Sequence, residues 1–203
     1  MENSKKVTAI IGTYRRGGMI DTAVGEILNG AEQEGADANR IYLTEKHIEF
    51  CRNCRTCTQE KGPGRGGCCI REDEMEAILA QLEASDAIVL ASPINFWTVT
   101  AVMKRFIERL VCLAYWPWGA KSPRLRNKHK TKKAVIVLSS AAPSLLARLM
   151  TGSTGLLKTT AGLLGAKVIG VLFIGFSAQK ERQELSERMG KKARSLGRRL
   201  IQT

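Results

Sequence analysis

The sequence has 203 residues, 44% of them hydrophobic and 25% charged, with six cysteines and a formal charge of +13. That length and apolar fraction fit one α/β domain with a sizeable core better than two small ones, and six thiols in a chain read as intracellular exclude a disulfide framework. No apolar run reaches the roughly 18 residues needed to cross a bilayer, and residues 1–6 lead straight into a short apolar run without a signal-type cleavage region, so the expectation is a cytoplasmic protein with no membrane partner.

Along the chain, strand-like and helix-like patterns alternate, which predicts a parallel sheet covered on both faces. Residues 6–12 read as a buried first strand, followed by the loop Gly12-Thr-Tyr-Arg-Arg-Gly-Gly18. A helix begins near Ile20, with Ile20, Val24, Ile27, Leu28 and Ala31 on one face. Residues 39–43 are the second strand. Residues 47–71 break the rhythm with cysteines, glycines and proline, an irregular excursion within a single domain spanning 1–203. Glu72, Asp73, Glu74 and Glu76 then crowd the first turn of a helix whose apolar face is Met75, Ile78, Leu79 and Leu82, an arrangement suited to the helix dipole. Residues 87–91 form the third strand, 99–112 a helix, 113–131 a basic loop containing aromatic residues, and 134–138 the fourth strand. Residues 144–164 read as a loop entering a helix, 167–174 as the fifth strand and 180–201 as a last helix. The sum is five strands and five helices. Residues 119–133 hold seven Lys or Arg and no acid, and residues 180–203 hold eight against three Glu, so these stretches carry nearly all of the positive excess. They are read as a solvated loop and a solvated helix face, with a nucleic-acid surface as the competing reading.

In an open parallel sheet, ligands bind beyond the carboxyl ends of the strands, where the strand order reverses. For the order 2-1-3-4-5 that point lies between the first and third strands, which selects loops 12–20 and 92–98. The first ends a strand and opens a helix, where free amides and the positive dipole end attract a phosphate. Thr13 adds a hydroxyl, Arg15 or Arg16 adds charge, and Gly17 and Gly18 permit close approach. The loop is neither a G-x-G-x-x-G nor a P-loop. In the second, Ser92-Pro-Ile-Asn-Phe-Trp-Thr98, Phe96 and Trp97 offer flat surfaces that could border a ring system or anchor the next helix.

Gly12-Thr-Tyr-Arg-Arg-Gly-Gly18 resembles the phosphate loop of the NAD(P)H-dependent FMN reductase family. Ser92-Pro-Ile-Asn-Phe-Trp and the helix ending Lys104-Arg-Phe-Ile-Glu-Arg109 resemble that family's Ser-Pro-x-Tyr segment and Leu-Lys-x-Phe-x-Asp-Arg helix. The resemblance covers most of the chain and implies a three-layer, doubly wound flavodoxin-like fold with a five-stranded sheet. It also implies FMN as cofactor and NAD(P)H as cosubstrate. It places Thr13, Arg15, Gly18, Met19 and Ile20 around the FMN phosphate, and Pro93, Ile94, Asn95, Phe96 and Trp97 beside the isoalloxazine, with Ser139, Ser140, Ala141 and Ala142 on another edge. Met19-Ile20 stand where the family often has Asn or Ser followed by Thr, and Asn95 stands where Tyr is common.

Cys51-x-x-Cys54-x-x-Cys57, followed by Cys68-Cys69, is the most distinctive spacing in the chain. Such thiolates can converge on one zinc ion or one iron–sulfur cluster, each of which takes four soft ligands. The segment is also similar to that of iron–sulfur flavoproteins of the same superfamily, which implies Cys51, Cys54, Cys57 and Cys69 as ligands of a [4Fe–4S] cluster and Cys68 as an extra thiol. The stretch 58–68, with four glycines and a proline, is longer than the compact motif. A cluster, zinc and a metal-free thiol loop remain three open readings. Cys112 is read as a small core hydrophobe.

Three functions compete. The first is an oxidoreductase moving electrons from NAD(P)H through FMN to flavin, quinone or another small-molecule or redox-protein acceptor. The second is an electron carrier with FMN and a cluster that does not use NAD(P)H directly, and the third a basic nucleic-acid-binding module. No Ser-His-Asp or paired-carboxylate constellation is visible, as suits an enzyme whose chemistry a flavin carries. Trp116-Pro-Trp118 predicts a homodimer or homotetramer, because tryptophans concentrate at interfaces.

Overall fold

The computed structural model describes residues 4–62, 69, 72–181 and 183–202. Strands β1 (Lys6–Ile11), β2 (Asp37–Tyr42), β3 (Ala87–Asn95), β4 (Lys132–Ser139) and β5 (Ala166–Ile174) pair in parallel in the order 2-1-3-4-5, as expected. Helices α1 (Met19–Glu32) and α6 (Glu187–Ile201) cover one face; α2 (Met75–Glu83), α3 (Ala101–Arg109) and α5 (Ser153–Leu163) cover the other. The short helix α4 (Ser144–Met150) precedes α5.

Successive strand residues point to opposite faces, so Val7, Ala9, Ile11, Val89, Ala91, Val135 and Val137 pack under α1 and α6. Ile10, Ile88, Leu90, Ile136 and Leu138 pack under the other layer. With both faces covered, the strands read as unbroken apolar runs rather than alternating ones. The predicted α1 stripe of Ile20, Val24, Ile27, Leu28 and Ala31 is buried throughout, as is the α2 stripe of Met75, Ile78, Leu79 and Leu82. Glycines bring α1 and α6 together: a Cβ on Gly197 would stand 1.9 Å from the Ile27 carbonyl oxygen, and one on Gly30 would stand 2.2 Å from that of Arg194.

Several boundaries differ from the expectation: α2 begins at Met75, so Glu72, Asp73 and Glu74 precede its first turn. Residues 144–164 form two helices, because Thr151 adopts an extended conformation between α4 and α5. The last helix begins at Glu187, after Ser186, whose hydroxyl accepts from the Met189 amide. Val99 belongs to a hairpin instead of a helix; α3 starts after Thr100, and residues 110–113 tighten into a 3₁₀ turn.

The basic segments are partly consumed within the fold. Lys132 donates to the carbonyls of Leu82, Glu83 and Ser85 at the end of α2. Arg194 pairs with Glu26 at 2.6 Å, and Lys191 with Glu187 at 2.7 Å. Among the described residues, no helix is long and apolar enough to cross a membrane.

Candidate functional site

The loops after β1, β3 and β4 leave neighbouring strand ends. Ile11 pairs with Ala91, and Pro93 with Ser139, so the three predicted binding segments share the carboxyl edge of the sheet. Hydrogen bonds through Thr100 join the first two. Its hydroxyl donates to the Gly12 carbonyl at 2.6 Å, its amide donates to the Ser92 hydroxyl at 3.1 Å, and its oxygen caps α3 by accepting from Met103. A Cβ on Gly12 would lie 2.8 Å from the Met103 Cβ, so glycine lets the first loop lie against α3.

In the first loop, Thr13 is buried and its hydroxyl accepts from the Arg15 amide at 3.3 Å. Gly17, in a left-handed conformation (φ 68°), donates its amide to Asp21 at 2.7 Å. The other oxygen of Asp21 accepts from the Tyr42 hydroxyl at 2.7 Å, which ties the loop to β2. Gly18 is the N-cap of α1 and supplies no side-chain cap, so the first-turn amides, including those of Met19 and Ile20, face the loop with no side chain capping them. This fits an anion at that helix end. The two arginines diverge: Arg16 lies on the Tyr42 ring, 3.2 Å from its centroid, and pairs with Glu45, whereas Arg15 reaches the neutral Glu181 carbonyl and forms no ion pair among the described residues.

The second segment departs from the expected loop. β3 runs on to Asn95 and folds back as a hairpin, with Ile94 opposite Val99 and Asn95 opposite Thr98. Its tip, Phe96 and Trp97, takes left-handed angles (φ 45° and 66°), a conformation that Cβ-bearing residues adopt at an energetic cost. Phe96 is 98% exposed and Trp97 61% exposed, so these rings project from the site's rim instead of anchoring α3.

In the third segment, Ser139 and Ser140 are buried, while Ala141 is exposed and Ala142 half-buried. The Ser140 amide donates to Ile174 at 2.9 Å and its hydroxyl to Ala142 at 2.8 Å; Ser177 donates back to Ser140 at 2.9 Å. Gly175 permits this brace, since a Cβ there would fall 2.5 Å from the Ser144 amide nitrogen.

The cysteines form a second centre. Cys51, Cys54, Cys57 and Cys69 line one pocket together with Arg52, Asn53, Arg55, Arg109 and Val111. Asn53 and Arg55 are left-handed (φ 54° and 61°), which turns the chain sharply enough for alternate residues of a short loop to face one space. The Asn53 amide donates to Cys51 Sγ and the Thr56 hydroxyl to Cys54 Sγ, both at 3.4 Å. These bonds from Thr56 lower the Cys54 pKa, whereas burial first, and then the neighbouring Cys69, Cys51 and Cys54, raise that of Cys57. Four thiols around one pocket are the donor set of an iron–sulfur cluster. Among the described residues, no three ligand-type side chains converge closely enough to hold a single metal ion. In a four-iron cluster each thiolate binds a different iron, so its ligands stand further apart. Cys68 lies outside the described residues.

A strap over residues 113–126 holds this segment. Arg55 stacks between Trp116 and Trp118, 3.9 and 4.3 Å from their centroids, and donates to the Trp116 and Pro117 carbonyls. Arg126 donates to Cys57, Glu60 and Cys112 carbonyls at 3.1, 2.8 and 3.0 Å. Trp116 is therefore half-buried against its own chain, while Trp118 is 67% exposed. Beneath the pocket, Asp73 and Arg109 form a buried bidentate ion pair. Asp73 also accepts from the Glu49 and Met75 amides at 2.7 and 3.0 Å, so it is more than a dipole-complementing acid.

A doubly wound sheet in the order 2-1-3-4-5, with an uncapped helix end at its switch point, defines the flavodoxin-like class. The sequence profile of the NADPH-dependent FMN reductase family matches residues 5–179, and the chain belongs to that family. An iron–sulfur flavoprotein of Archaeoglobus fulgidus is 32% identical over 124 residues, covering 61% of this chain and 51% of the relative. An iron–sulfur flavoprotein of Methanocaldococcus jannaschii is 33% identical over 104 residues, 51% of each chain. The chain thus spans about half the length of these curated relatives. Among solved structures, an FMN-dependent NADH-azoreductase from Bacillus anthracis in complex with FMN superposes with a TM-score of 0.72 at 14% identity, over 98% of this chain and 100% of that one. An NAD(P)H:quinone oxidoreductase from Methanothermobacter marburgensis gives 0.69 at 15% identity, over 98% and 100%.

Proposed function

We propose that this chain is an FMN-dependent oxidoreductase of the iron–sulfur flavoprotein type, with FMN at the carboxyl edge of the sheet and a [4Fe–4S] cluster on Cys51, Cys54, Cys57 and Cys69. The observation that carries this reading is the convergence of these four thiols on one pocket in a chain whose sheet edge also carries an uncapped phosphate-type loop. Bound FMN supplies chemistry that joins two-electron donors to one-electron acceptors.

The chain's own residues bind and orient. The first-turn amides of α1 at Gly18, Met19 and Ile20 and the Thr13 hydroxyl would receive the phosphate, with Arg15 adding charge. Because Met19 and Ile20 bring no hydroxyl, amides and charge carry more of that binding than side-chain hydroxyls do. Pro93, Ile94 and Asn95 and the braced segment from Ser139 to Ala142 would flank the ring, and Phe96 and Trp97 would shield its rim from water. The Thr100 bonds keep the phosphate and ring segments in fixed register. The assembly is a homodimer or homotetramer, supported by the exposed apolar side chains around the site, Phe96, Trp97, Leu145, Leu149 and Phe176. The electron acceptor is a small molecule or a redox protein.

A second reading, direct oxidation of NAD(P)H at FMN, is supported by the family's NADPH-dependent members. Anaerobic single-turnover mixing separates the two. Bleaching of flavin absorbance by NADPH or NADH at turnover-competent rates supports direct use, and bleaching only by a reduced ferredoxin-type donor supports the carrier. Replacing Cys69 by Ala tests the cluster: iron should be lost while FMN is retained, and retention of full iron would refute the assignment.

A further inference from the structure

We propose that Arg109 is a positioning residue whose buried charge, held beside Cys69, sets the reduction potential of the cluster in the cysteine pocket. The inference rests on the reading of that pocket as a [4Fe–4S] site. The Arg109 side chain is 3% exposed and that of Asp73 is 1% exposed. Its guanidinium is fixed on several sides: one nitrogen donates to the Glu49 carbonyl at 2.9 Å and to Asp73, and the other donates to Asp73 at 3.2 Å. A guanidinium has five N–H donors in a rigid fork, and this one lines the same pocket as Cys69. Among the described residues that line the pocket, Arg52 and Arg55 are the other charged ones and none is a carboxylate.

The consequence is electrostatic. Reduction places one more electron on a centre already bound by four thiolates, and a fixed positive charge on a buried side chain favours the reduced form. Asp73 stands behind Arg109 and opposes part of that field. Removing the arginine charge should therefore make the cluster harder to reduce, and removing the aspartate charge should make it easier. A merely structural role would not produce shifts of opposite sign. Arg109 also ends α3, whose first turn is capped by Thr100 at the proposed FMN site. Nine helical residues span about 14 Å, so a single rigid element fixes the ligand loop relative to the flavin loops.

The test uses the full chain, reconstituted anaerobically with iron, sulfide and FMN, and titrated with dithionite as the one-electron source while the reduced cluster is followed by electron paramagnetic resonance. Arg109→Gln should lower the equilibrium constant for cluster reduction about tenfold, about 59 mV to the negative side for one electron. Arg109→Lys, which keeps the charge, should stay within about threefold of wild type, and Asp73→Asn should shift the constant upward. FMN affinity should be unchanged in all three. An iron-loaded Arg109→Gln protein with the wild-type constant, or shifts of the same sign in Arg109→Gln and Asp73→Asn, would overturn the inference while leaving the cluster reading intact. Wild-type protein that takes up no iron and sulfide would overturn both. Should Arg109→Gln fail to fold, judged by circular dichroism and FMN binding, the Asp73→Asn shift decides: an upward shift supports the inference, and no shift or a downward one overturns it.

Discussion

Thr100→Val removes one oxygen from the junction between the phosphate loop and the ring-flanking segment and leaves the volume nearly unchanged. The lost hydroxyl donates to the Gly12 carbonyl at 2.6 Å and caps α3 through the Met103 amide. Loss of an N-cap costs about 1 kcal/mol, and a buried carbonyl left without its donor costs about 1–3 kcal/mol more. The sum, about 2–4 kcal/mol, should lower the melting temperature by roughly 4–16 °C in a chain of this size, at about 2–4 °C per kcal/mol. Because Gly12 begins the phosphate loop, FMN affinity should fall as well, read by quenching of flavin fluorescence on titration. Thr100→Ser keeps the oxygen and should recover most of both losses. A Thr100→Val protein that melts with wild type and binds FMN equally would refute the claim that this hydroxyl holds the two segments together.

Gly197→Ala should destabilise the fold by about 1–3 kcal/mol or more in urea unfolding, because its Cβ would meet the Ile27 carbonyl at 1.9 Å; Gly190→Ala, whose nearest neighbour is the Glu26 side chain at 4.0 Å, should be neutral or stabilising. Asp73 is pushed upward by burial but held below the ordinary carboxylate pKa by Arg109 and the amides of Glu49 and Met75. Its stabilising contribution is therefore complete above about pH 4, the unfolded value, and is lost as pH falls through the lower folded one. Asp73→Asn should cost about 3–5 kcal/mol near neutral pH by leaving Arg109 unpaired, and the gap to wild type should narrow in acid denaturation curves. Arg126→Ala, which frees the Cys57, Glu60 and Cys112 carbonyls, should accelerate iron loss to a chelator without altering FMN affinity. Light scattering across micromolar concentrations should give at least a dimer, and a strictly monomeric mass would refute the proposed assembly.

The strand order was legible through the family resemblance, the strands because both sheet faces are covered and give unbroken apolar runs, and the inward stripes of α1 and α2 because their period joins residues three and four apart on one face. The cysteine spacing was legible for the same local reason. The Phe96–Trp97 hairpin tip was not, since two aromatic residues carry no left-handed turn signal of the kind that Asn-Gly or Asp-Gly would give. Val99 followed the helical pattern of Val102, Met103 and Phe106, and only the Thr100 cap, a threonine directly before an apolar helical run, could have corrected the start. The Asp73–Arg109 pair and the Trp116–Arg55–Trp118 stack join residues far apart in the chain. Their partners are set by the fold, and a tryptophan pair in a basic loop reads equally as an interface or as a strap.

The most direct test is the stoichiometry of iron, acid-labile sulfide and FMN in the wild-type chain purified without oxygen. The account predicts four irons and four sulfides per cluster, with one FMN per chain, and loss of the iron but not the FMN when any one of Cys51, Cys54, Cys57 and Cys69 becomes Ala. Protein that binds FMN yet contains neither iron nor sulfide after anaerobic reconstitution would contradict it, and would leave the cysteine pocket a metal-free thiol loop beside a flavin site.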